Sequence, residues 1–64
     1  MRINYEIRSG RRTVALRHAA TPREALIDYV RGIGCREDEI TTMGMKVIAW
    51  RGAVFTAVEA AENS

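Results

Sequence analysis

A chain of 64 residues has room for one domain, and a domain of this size buries only about 60% of the surface that its unfolded chain exposes. One Cys and one His can form neither an internal disulfide nor a closed zinc site, so no metal or other cofactor is expected and self-association is the remaining way to supplement a thin core. The net charge of +2 hides an asymmetry: residues 1–34 carry seven Arg against Glu6, Glu24 and Asp28, a surplus of +4, whereas residues 35–64 sum to −2.

Nine of the ten basic residues are Arg, the side chain suited to planar contacts with phosphate, carboxylate or guanine. Codon composition in a GC-rich genome accounts for the excess equally well. The N-terminus has no apolar run of the signal-peptide kind, and no stretch approaches the ~18 apolar residues of a membrane span. With a free Cys, these features lead to the expectation of a cytoplasmic chain without a membrane partner.

Residues 2–8 alternate strictly, with Ile3, Tyr5 and Ile7 on one side and Arg2, Asn4, Glu6 and Arg8 on the other, which predicts a half-buried strand. Ser9-Gly10 reads as a two-residue turn into a return strand over residues 11–18. That turn pairs Arg8 with Arg11 and Glu6 with Thr13, and it puts Ile3, Tyr5, Ile7, Val14 and Leu16 on one face. The opposite face then gathers Arg2, Arg8, Arg11 and Arg17. His18 falls at the end of the apolar row.

The clearest helix is Thr21 to Gly34. Thr21 is an N-cap, Pro22 occupies the first helical position, and Glu24 is placed to return to the Thr21 N–H in a capping box. Leu26, Tyr29, Val30 and Ile33 share one face, widened by Ala25 and Ile27, with Arg23, Asp28 and Arg31 largely on the other. Gly32 and Gly34 each offer a left-handed stop. Residues 35–44 read as a connection with one helical turn near Glu37–Ile40, in which Cys35 serves as a small hydrophobe.

A second hairpin spans Met45 to Glu59 around a turn at Arg51-Gly52, pairing Trp50 with Ala53, Ile48 with Phe55 and Lys46 with Ala57. One face holds Ile48, Trp50, Ala53, Phe55 and Ala57, and the other Met45, Val47, Ala49, Val54, Thr56 and Val58. Residues 60–64 read as a tail. Strand, strand and a Thr-led helix with Glu24-Ala25-Leu26 loosely resemble the N-terminal part of HicB-like antitoxins over half of the chain, on capping and patterning residues alone. No function is carried across from that resemblance.

The expected fold is therefore a two-layer α+β domain over residues 1–59, ββαββ, with one helix on a four-stranded antiparallel or mixed sheet. The expected core is Ile3, Tyr5, Ile7, Val14, Leu16, Leu26, Val30 and Ile33, joined by one face of the second hairpin. A single helix covers one face of a sheet, and both faces of the second hairpin are apolar, so an exposed apolar patch follows. Ile48, Trp50 and Phe55 are the expected interaction surface, and the expected role is a non-catalytic module that binds a second copy or another protein. The alternative is nucleic-acid binding, with Arg2, Arg8, Arg11 and Arg17 on phosphates and Trp50 and Phe55 as a stacking platform. His18 with Asp28 or Glu24 is the one titratable combination available to an enzyme, and nothing in its spacing demands catalysis or points to a small-molecule substrate.

Overall fold

In the computed structural model, which describes residues 1–61, two strands precede the helix and three follow it. They are β1 (Ile3–Ser9), β2 (Arg12–Ala19), α1 (Pro22–Gly32), β3 (Thr41–Gly44), β4 (Val47–Trp50) and β5 (Ala53–Glu59). The strands form one antiparallel sheet in the order β2-β1-β5-β4-β3. The class is α+β as expected, but the sheet has five strands rather than four. β3 falls within the segment read as a connection: Thr-Thr-Met-Gly has no apolar alternation, and all four residues are exposed. Glu37–Glu39 forms a short 3₁₀ turn before it. Among the described residues no helix is long and apolar enough to cross a membrane.

The local chemistry of α1 explains both of its ends. Thr21 has extended backbone and its hydroxyl accepts the Glu24 N–H at 3.1 Å. Glu24 turns back as a capping box requires, but its carboxylate accepts the Ala20 N–H, not that of Thr21. At the other end Gly34 takes φ +99°, the Gly34 N–H donates to the Arg31 carbonyl, and the Cys35 N–H donates to the Val30 carbonyl at 2.8 Å. This is a Schellman stop, in which the residue after the left-handed Gly packs back on the helix. Cys35 is buried for that reason. Ile33, expected in the core, lies past the last helical turn and is 47% exposed.

The second hairpin has the expected register. Trp50 pairs with Ala53 and Ile48 with Phe55, and the Ala57 N–H donates to the Lys46 carbonyl. Arg51 and Gly52 take φ values of 50° and 80°, the two positive values that a type I′ turn needs.

The first hairpin departs from expectation. Its turn is Gly10-Arg11, with Gly10 at φ +65° and Ser9 opposite Arg12. The register then shifts between Ile7 and Arg8, leaving Val14 outside the pairing, so that Ile7 faces Ala15, Tyr5 faces Arg17 and Ile3 faces Ala19. This one-residue slip reverses the two rows of β2. Val14 and Leu16, expected in the core, lie exposed on the outer side, and Ala15, Arg17 and Ala19 face the helix.

Helix proximity accounts for the choice. Only Ala20 and Thr21 separate β2 from α1, so the helix returns closely over its own strand, where Ala19 meets it at 4% exposure and Ala25 is fully buried. Arg17 fits the same side because its stem can lie along the helix while its charge reaches the surface. Its guanidinium sits 5.6 Å from the Tyr29 ring centre and pairs with Asp28 at 3.1 Å.

The core thus joins Tyr5 and Ile7 to Leu26 and Val30 of the helix and to Ile48, Phe55 and Ala57 of the second hairpin. Ile3 packs partly buried against it. Tyr29 meets Phe55 at 5.6 Å between ring centres, with the rings inclined by 60°. Ala60, expected to open the tail, is buried and its N–H donates to the Asn4 carbonyl. Residues 62–64 of that tail lie outside the described residues.

The register makes a direct test available. Ile48→Ala should lower the unfolding free energy by about 2–5 kcal/mol in urea titrations, as for other fully buried aliphatic truncations. Leu16→Gln should stay within about 0.5 kcal/mol of the wild type, because Leu16 is outside the core. A large loss on Leu16→Gln would show that β2 keeps its larger side chains inside.

Candidate interaction face and arginine surface

Ile48 is fully buried and Phe55 is 6% exposed, so the expected interaction surface is in fact the face beneath the helix. Trp50 is half-buried on the same side, covered in part by the Arg51 guanidinium 5.1 Å from its ring centre. Sequence alone could not decide between the rows, because both are predominantly apolar.

The uncovered face is the other row. Ala49 sits opposite Val54, and Val47 opposite Thr56, which lies between Val54 and Val58 along β5. Val54 is 45% exposed, whereas Val47, Ala49 and Val58 are half-buried. Exposed Met43 and Met45 adjoin them in the β3–β4 turn region. Towards β2 this surface meets a polar row on β1. Glu6 pairs with Arg8 at 3.3 Å and accepts the Thr13 hydroxyl at 3.0 Å, and Asn4 stands against His18 at 3.0 Å. Leu16, 53% exposed, is an apolar island beyond that row, since Glu6 stands between it and Val58.

The four arginines expected to act together are dispersed. Arg17 lies on the helix side, tied to Asp28 and Tyr29, and Arg8 is held by Glu6. Arg2 and Arg11 are exposed and make no ion pair among the described residues, and neither does Arg12 beside the hairpin turn. Arg2 instead joins His18, Arg23 and Arg31 in an open cleft of about 580 Å³ beside the start of α1.

Glu24 and Asp28 line the same cleft, but Glu24 is engaged with the Ala20 N–H and Asp28 with Arg17. His18 is hydrogen-bonded to Asn4, and no hydrogen bond joins it to either carboxylate. The titratable combination expected of an enzyme is therefore brought near one cleft without being assembled into a coupled pair.

Cys35 is buried behind the helix end. Burial raises its thiol pKa from the ordinary 9.0, with Glu39 and Asp38 acting in the same direction and Arg51 opposing them. A raised pKa disfavours the thiolate that a nucleophile needs. Ionisation is opposed in the folded chain and free in the unfolded one. The stability this group contributes is therefore complete below 9.0 and is lost as pH rises past it. The urea midpoint of the wild type should fall more steeply between about pH 8 and about pH 10 than that of Cys35→Ala, and parallel curves would remove the thiol from the account.

No family model matches the chain, and neither a curated protein nor a solved structure matches it.

Proposed function

We propose that this chain is a non-catalytic interaction module that forms a two-fold dimer through the uncovered face of its sheet. The observation that supports this most is the row of Val47, Ala49, Val54 and Val58, apolar and without a helix over it. A second copy is the favoured occupant, because a two-fold contact buries the same patch twice and adds the apolar burial that a domain of 64 residues lacks. Absence of charge from these four positions favours packing against a like surface over recognition of a charged partner.

Nucleic-acid binding is the second reading, supported by Arg2 and Arg11, which are exposed and make no ion pair among the described residues. It does so without a stacking platform, since Phe55 is buried and Trp50 lies on the helix side. Binding on these terms is by phosphate contact and tolerant of sequence.

Light scattering on the wild type and on Val54→Arg separates the readings. The dimer reading expects twice the chain mass, unchanged in high salt, and the single mass for Val54→Arg with an unaltered far-ultraviolet spectrum. A wild type of single mass at high micromolar concentration would sink it. Under the second reading, Arg2→Ala with Arg11→Ala weakens single-stranded DNA binding and lowers the slope of log affinity against log salt by about 1.4 (~0.7 per contact). An unchanged slope would remove these residues from any phosphate contact.

A further inference from the structure

We propose that residues 35–40 form a strap that opens locally, ahead of the rest of the fold, and so gates the chain's single thiol. The strap leaves the helix at Gly34, whose φ of +99° marks a sharp change of direction, and it ends where β3 begins at Thr41. Cys35 is its one buried residue and Ile40 is half-buried, while 36–39 are exposed. The Glu39 and Ile40 N–H groups donate to the Arg36 and Glu37 carbonyls and so close inside the strap, which leaves the Cys35 N–H bond to the Val30 carbonyl as its backbone tie to the helix.

Its charged ties to the rest of the chain are at the surface. Glu37 pairs with Arg31 on the helix at 2.8 Å, and Glu39 pairs with Arg51 at the tip of the second hairpin at 3.6 Å. The Arg36–Asp38 pair is internal and holds nothing down. Exposed pairs of this kind are weak and screened by salt.

A buried donor without an acceptor lies beside the tie at Arg51. Arg51, held by Glu39, lies over Trp50, whose buried Nε1–H has no hydrogen-bond partner among the described residues. A buried donor of that kind is satisfied when water reaches it. Weak ties and an unsatisfied donor act together, so the strap belongs to the low-stability end of the molecule while Val30, Ile48 and Leu26 stay packed.

Opening is read by labelling the full wild-type chain with methyl methanethiosulfonate, an uncharged reagent. The Cys35 thiolate attacks its sulfenyl sulfur, forms a methyl disulfide and releases methanesulfinate, and mass spectrometry counts the product. Labelling should be slower than that of a free thiol and nearly independent of urea well below the unfolding transition. In 1 M NaCl, or in Arg31→Gln, which breaks the pair with Glu37, it should accelerate about two- to five-fold, as expected for loss of one exposed pair. Three results would overturn the proposal. They are a urea dependence equal to that of global unfolding, a rate equal to that of a free thiol, and no response to either salt or Arg31→Gln.

Discussion

One helix of eleven residues faces a sheet of five strands, and most of the molecule follows from that mismatch. Five strands spaced about 4.8 Å apart span roughly 19 Å, about twice the width of a helix. The helix packs on β1, β2, β4 and β5, and it reaches β3 through the Arg23 guanidinium, which donates to the Thr42 hydroxyl at 2.6 Å. Large apolar side chains are concentrated where the helix lies, at Tyr5, Ile7, Ile48 and Phe55. Towards the β2 edge they give way to Ala15 and Ala19, with Arg17 roofing the gap.

The same constraint decides what could be read in advance. Thr21, Pro22 and Gly34 fix the helix by local chemistry, and local chemistry is fully present in the sequence. Arg51-Gly52 fixes the second hairpin in the same manner, down to the partner of Trp50. The first hairpin turns at Gly10-Arg11, which by itself would keep Val14 on the row of Ile7; the rows reverse at the bulge between Ile7 and Arg8, and helix packing, which is not local, favours that bulge. Alternation favours Val14 and Leu16 as core because they are large. The close return of α1 over β2 favours Ala15 and Ala19 because they are small. β3 was hidden for a different reason: an exposed edge strand of four residues needs no apolar face of its own.

That some apolar face would remain uncovered was legible, whereas its identity was not, because Ile48-Trp50-Phe55 and Val47-Val54-Val58 are equivalent as patterns. The structure distinguishes them by size and shape. Tyr5, Tyr29, Trp50 and Phe55 all lie on the helix side, where bulky rings fill the space between two layers. β-Branched Val47, Val54 and Val58 stand on the open side, presenting a low surface with few rotamers to immobilise. Such a surface suits another flat surface better than it suits a base or a ring.

The bulge at Val14 has a consequence for assembly. β2 is one edge of the sheet, eight residues long, and β3 is the other. A long, regular edge invites further strands and hence growth without limit. Here the β2 edge is interrupted at Val14 and carries Arg12 and Arg17, and the β3 register is likewise broken between Thr42 and Gly44. Both lateral routes to fibres are thereby obstructed, while the broad face stays open. The dimer proposed above would then close as a pair of stacked sheets rather than grow as an endless ribbon.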